Sequence, residues 1–102
     1  MPIKKKFLKS KPICKCTFTV PREAAPDAEK ISIVGEFNDW KEDELILKKL
    51  KSGIFKIDVD LPVGQKYQYR YLVDGETWIN DWEADEYIAA PGLAEENSVV
   101  AL

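Results

Sequence analysis

Three stretches of this chain repeat with a period of two residues, and that period excludes a helical core for the segments that carry it. Across residues 14–20, Cys14, Cys16, Phe18 and Val20 fall on one side of an extended chain, with Lys15, Thr17 and Thr19 on the other. Phe55, Ile57, Val59 and Leu61 alternate in the same way with Lys56, Asp58 and Asp60. Tyr67, Tyr69, Tyr71 and Val73 alternate with Gln68, Arg70 and Leu72. Each pattern is that of a half-buried strand, with one face on a core and the other turned outward. Shorter β-rich runs at 31–34, 47–50, 77–79 and 98–101 bring the expected total to about seven.

Turn chemistry separates these runs. The stretch 21–30 carries two prolines and several charges and reads as a surface loop. Ser52-Gly53 marks a tight turn, Pro62-Val63-Gly64 suits a type I turn, and Asp74-Gly75 is the strongest hairpin signal in the chain. Short strands with frequent turns and no helical periodicity predict an all-β, immunoglobulin-like sandwich of about seven antiparallel strands. With 102 residues the chain suits one domain. The sandwich is expected over 14–102, after a basic, flexible N-terminal segment over 1–13.

Several functions are argued against. The chain has no histidine, which removes Ser-His-Asp triads, Cys-His dyads and nearly all zinc enzymes. Cys14 and Cys16, two apart on a strand, point to the same face with poor geometry for a mutual disulfide, and read as small buried hydrophobes. The acids fall in loops or on outward strand positions, solvated places unlike the apolar pocket that a glycosidase carboxylate needs. The acidic run 81–86 lacks the glycine and the final glutamate of a calcium loop. No enzyme activity, cofactor or metal is therefore expected. The net charge of −3 makes nucleic acid a poor partner, despite six lysines within residues 1–16. No apolar run is long enough to span a membrane, and no signal-peptide core follows the basic start, so a cytoplasmic location is expected.

The tryptophans carry more information. Trp40 follows the turn-forming Asn38-Asp39, Trp78 stands three residues past Gly75, and Trp82 lies in the acidic run. All three are placed at strand ends, where rings are only partly covered. An exposed ring beside amides and charges suits a sugar, whose C–H face stacks on the ring while its hydroxyls meet the polar rim.

The segments V-G-E-F-N-D-W (34–40), L-P-V-G-Q-K-Y-Q-Y-R-Y-L-V-D-G-E-T-W (61–78) and E-N-S-V-V (96–100) resemble carbohydrate-binding module family 48. That family includes the glycogen-binding domain of the β subunit of AMP-activated protein kinase and the N-terminal domains of isoamylases and glycogen branching enzymes. The resemblance covers about residues 14–102 and implies an early-set immunoglobulin-like sandwich. It also implies a non-catalytic module that binds α-glucan, such as glycogen, starch or maltooligosaccharide. By that resemblance Trp40 and Trp78 stack on glucose, Arg70 and Asn97 bind hydroxyls, and Leu93 wedges into the glucan helix. Glu95 stands where the family has a threonine, and Trp78 lies one residue further from the glycine than the family pattern. The alternative is a docking module without sugar binding, which targets or regulates an α-glucan-active enzyme of glycoside hydrolase family 13.

Overall fold

A computed structural model describes residues 3–89 and 96–102. The strands, in chain order, are β1 (Lys4–Phe7), β2 (Ile13–Val20), β3 (Ile31–Gly35), β4 (Leu45–Ile46), β5 (Lys48–Lys49), β6 (Phe55–Pro62), β7 (Lys66–Val73), β8 (Thr77–Ile79), β9 (Glu86–Ala89) and β10 (Glu96–Ala101). They form two sheets, one in the order β1-β2-β6-β5 and the other β4-β3-β7-β10-β9, with β8 also paired to β7. Every described pairing is antiparallel. Among the described residues the only helical turns are two short 3-10 segments, Arg22–Ala24 and Glu36–Asn38.

The three alternating segments became the long strands β2, β6 and β7, and their apolar sides meet between the sheets. Cys14, Cys16, Phe18 and Val20 from β2 pack with Ile31 and Ile33 of β3 and with Tyr67, Tyr69 and Tyr71 of β7. The Phe18 and Tyr69 rings meet edge to face at 5.1 Å, an arrangement that suits the ring quadrupoles. Cys14 and Cys16 are buried free thiols whose sulfurs lie 3.8 Å apart. The architecture is the expected immunoglobulin-like sandwich.

Three local expectations differ. Residues 4–7, expected to be frayed, form β1 in register with β2, and Ile13 already belongs to β2. The N-terminal lysines can decorate a strand because β1 is an edge, where charge is well tolerated. Lys5 reaches across to Asp85 at 2.7 Å. The single strand expected at 47–50 is instead a change of sheet. Leu45–Ile46 pair with β3, Lys48–Lys49 pair with β6, and buried Leu47 between them donates its N–H to Ile31. The acidic run, read as solvated, contains a buried carboxylate, Asp81. It also leads into the edge strand β9.

Gly35 shows how closely the sheet is built at the end of β3. A Cβ there would lie 2.5 Å from the Gln68 carbonyl oxygen and 2.7 Å from Tyr69 Cβ. Both belong to the neighbouring strand and cannot swing aside. Gly35→Ala is expected to lower stability by about 2–3 kcal/mol, read from the urea midpoint at constant slope.

Candidate functional site

The outward side of β7 carries Gln68, Arg70 and Leu72, and strand register shows what stands beside each. Leu72 pairs with Ser32 of β3 on one side and with Trp78 of β8 on the other. Arg70 pairs with Val34, and Gln68 with Val99 of β10. Val34, Leu72 and Val99 are buried on this face although they lie outside the core between the sheets. The outer face thus has an apolar floor beneath its polar and aromatic side chains.

The extra residue between Gly75 and Trp78 leaves the ring on this same face. Trp78 pairs with Leu72, and Leu72 shares its side of β7 with Arg70 two residues away. Trp78 remains 41% exposed. Arg70, Trp78, Ile79, Asn80 and Glu96 line a cleft of about 240 Å³. Asn80 closes its end by donating to the Glu96 carbonyl at 2.8 Å, while its own Oδ1 accepts from the Ser98 N–H and hydroxyl. β8 and β10 both run along the same edge of β7, and Asn80 ties them where one gives way to the other.

Asn97 is buried, and its amide donates to Gln68 Oε1 at 3.0 Å. It therefore touches the outer face through Gln68. Leu93 and Glu95 lie outside the described residues.

Trp40 belongs to the turn that ends β3, and each residue of G-E-F-N-D-W has a definite place in it. Gly35 permits the close approach to β7. Glu36 extends the ladder with its carboxylate, which accepts from the Gln68 N–H at 2.6 Å. Phe37 packs on Phe18, Tyr67 and Tyr69. Asn38 is buried, accepts from the Gly35 N–H at 3.0 Å and donates to the Lys41 carbonyl at 3.2 Å. Asp39 and Trp40 then take left-handed backbone angles, with φ of 56° and 59°. The Trp40 N–H bonds back to the Gly35 carbonyl at 2.9 Å, and its ring is left 40% exposed. Gly35 is the chain neighbour of Val34, the cross-strand partner of Arg70, so Trp40 is anchored beside the row that holds Arg70. Trp40 is absent from the lining of the Arg70–Trp78 cleft.

Three contributors were missed in the sequence: Gln68, Asn80 and Glu96. Gln68 could have been found, because it stands two residues before Arg70 on the same alternating side. Asn80 and Glu96 meet only through the pairing of β7 with both β8 and β10, which no local pattern reveals. Chemically, the face offers flat rings, a guanidinium, amides and a carboxylate over an apolar floor. That set suits a neutral polyhydroxyl ligand with one apolar side. No group of His, Cys, Asp and Glu arranged to hold a metal occurs among the described residues. Nor is any helix among them long and apolar enough to cross a membrane.

A small immunoglobulin-like sandwich with partly exposed tryptophans on and beside one sheet face defines a class of ligand-binding modules. The comparison with known families makes this specific. Residues 23–87 match the family described as the glycogen recognition site of AMP-activated protein kinase, and the chain belongs to that family. The family is one of glycogen-binding modules, non-catalytic in general. The matched range includes Trp40, Arg70 and Trp78 and ends before Leu93, Glu95 and Asn97. The chain is also similar to a chloroplastic/amyloplastic 1,4-alpha-glucan-branching enzyme of Oryza sativa subsp. japonica. That match is 30% identical over 69 residues, covering 61% of this chain and 8% of the enzyme. It is 34% identical over 65 residues to the 1,4-alpha-glucan branching enzyme GlgB of Rhizobium meliloti (strain 1021), covering 62% of this chain and 9% of that enzyme. The matched region is thus under a tenth of the length of these relatives.

Proposed function

We propose that this chain holds glycogen-like or maltooligosaccharide chains on the outer face of its six-stranded sheet and catalyses no reaction itself. The observation that carries the reading is the register of β8 on β7, which sets the exposed Trp78 ring on the same face as Arg70. Trp78 and Trp40 stack on glucose rings, and Arg70 donates to hydroxyls. Asn97 fixes Gln68 Oε1, which leaves the Gln68 amide nitrogen as the donor turned to the ligand. Leu93 as a wedge and Glu95 as a hydroxyl acceptor complete the site, on the family resemblance alone. The left-handed angles at Asp39 and Trp40 support a role for the turn. Non-glycine residues held there cost about 1 kcal/mol or more each, and such strain gathers at ligand-binding positions.

Titration of the protein with maltoheptaose, followed by tryptophan fluorescence and calorimetry, tests the reading. A dissociation constant in the range from about 1 μM to 1 mM is expected, typical of shallow sites. Trp78→Ala is expected to weaken binding about tenfold or more with little change in melting temperature, since the ring is exposed. Unchanged fluorescence and no heat at millimolar sugar would exclude a working glucan site. Incubation with glycogen is expected to release no reducing ends.

One observation favours a second reading, docking to an α-glucan-active enzyme: the relatives carry the matching region as a small part of a branching enzyme. Co-purification of such an enzyme, undiminished by Trp40→Ala and Trp78→Ala, would support it over sugar binding.

A further inference from the structure

A second and larger cleft, of about 650 Å³, opens on the same outer face and is lined by Ser32, Leu72, Glu42, Asp43, Glu76 and the Asp74-Gly75 turn, among others. The two clefts follow one another along β7. Arg70 lines the first and Leu72 the second, and Trp78 is the cross-strand neighbour of Leu72. Ser32 is the informative residue. It is only 2% exposed, it lines this cleft, and its hydroxyl makes no hydrogen bond among the described residues. The Oγ atom is not sealed from solvent, and it meets solvent in this cleft, where a ligand hydroxyl can replace water.

The carboxylates around it divide into two sets. Asp74 accepts from the Glu29 and Lys30 backbone N–H groups at 2.9 and 2.8 Å, and Asp43 is paired with the Lys30 ammonium. The Glu29, Glu42 and Glu76 side chains have no hydrogen bond or ion pair among the described residues. The cleft therefore presents an apolar floor at Leu72, a hydroxyl at Ser32 and free carboxylate acceptors at the rim. A bare cation fits poorly, because the described acids do not converge as a metal-binding group. A sugar fits well. Its apolar face can lie on Leu72, and its hydroxyls can donate to the carboxylates and exchange a bond with Ser32 Oγ. The volume lies within the range of about 300–1,000 Å³ common for small-ligand pockets.

We infer that this cleft is a second glucosyl subsite, in which a glucan chain stacked on Trp78 continues over Leu72 to Ser32 and the glutamate rim. The inference rests on the glucan-binding reading and adds a chain-length preference to it. Maltoheptaose is long enough to occupy both clefts, whereas maltotriose occupies the Trp78 cleft alone.

Calorimetric titration of the wild type, Ser32→Ala, Glu76→Gln and Trp78→Ala with both sugars tests it, with backbone amide NMR shifts as a second readout. The wild type is expected to bind maltoheptaose more tightly, and only that sugar is expected to shift the amides of Ser32 and Gly75. Ser32→Ala and Glu76→Gln are expected to weaken maltoheptaose about fivefold each and to leave maltotriose unchanged. Trp78→Ala is expected to weaken both. If Ser32→Ala and Glu76→Gln bind maltoheptaose like the wild type while Trp78→Ala still loses both sugars, the second subsite is overturned and the glucan-binding reading stands. Equal weakening of both sugars by Ser32→Ala also overturns it. If the wild type binds neither sugar, both readings fall. Glu76 is exposed, so Glu76→Gln keeps the test decisive even if Ser32→Ala disturbs folding.

Discussion

Replacing Asp81 by alanine is expected to lower the stability of the sandwich by about 3–5 kcal/mol, an effect large enough to expose a marginal domain to unfolding near ambient temperature. Asp81 is only 5% exposed. Its Oδ2 accepts from the Tyr69 hydroxyl at 2.7 Å and the Tyr71 hydroxyl at 3.2 Å, and its Oδ1 accepts from the Glu83 N–H at 3.0 Å. Truncation removes all three bonds at once. It also leaves two hydroxyls without an acceptor inside the sandwich, and that desolvation penalty is the larger part of the loss. Asp81→Asn keeps the shape and one acceptor, so its loss is expected to be intermediate. Urea melts of both variants, with Asp60→Ala as an exposed control, check the account. A loss below about 1 kcal/mol for Asp81→Ala would show that the tyrosines do not depend on this carboxylate.

Asp81 also marks the limit of what could be read in the sequence. The alternation of Tyr67, Tyr69 and Tyr71 was plain, and their inward direction followed from it. Which acid they would meet depends on where the chain turns after β8, and a run of acids by itself reads as solvated. The long strands were legible for the reason that Asp81 was not: a period-2 pattern is a local property. The Asp74-Gly75 turn was legible too, because few residues accept the left-handed angles found there, φ of 51° and 70°. β1 was hidden because its lysines look like a disordered tail, and only its register against β2 makes a strand of them. The partial exposure of Trp40 and Trp78 was anticipated from their places at strand ends. Ser32 drew no notice, since in the run 31–34 it is one small polar residue among β-branched ones. Its interest comes from the cleft above it, which three separated segments build.

The same buried groups dictate the response to alkali. Stability is expected to fall steeply above pH 9, by about 3–4 kcal/mol from Cys16 alone across pH 9–12, with the tyrosines adding to the loss from about pH 10 upward. Burial pushes the Cys16 thiol from 9.0 up to about 12, helped by its contact with Cys14. Burial likewise raises Tyr69 and Tyr71 well above the ordinary tyrosine value of 10.0, with Tyr71 for Tyr69, and Asp81 for both, adding repulsion against a phenolate. Tyr67 is raised as well, mainly by desolvation. Each group keeps its proton in the folded chain at a pH where the unfolded chain has released it. Between those two values the unfolded state binds fewer protons, so stability falls as pH rises. Below pH 9 the groups are neutral in both states and their contribution is fully present. Urea melts at pH 8, 9, 10 and 11 should show this decline, and in a Tyr87→Phe background the absorbance of the three remaining tyrosinates should rise only in step with unfolding. Cys16→Ala should move the onset from pH 9 towards pH 10, where the tyrosines take over. Tyrosines that ionise near pH 10 in a chain still folded, with melts unchanged, would contradict the burial of these hydroxyls.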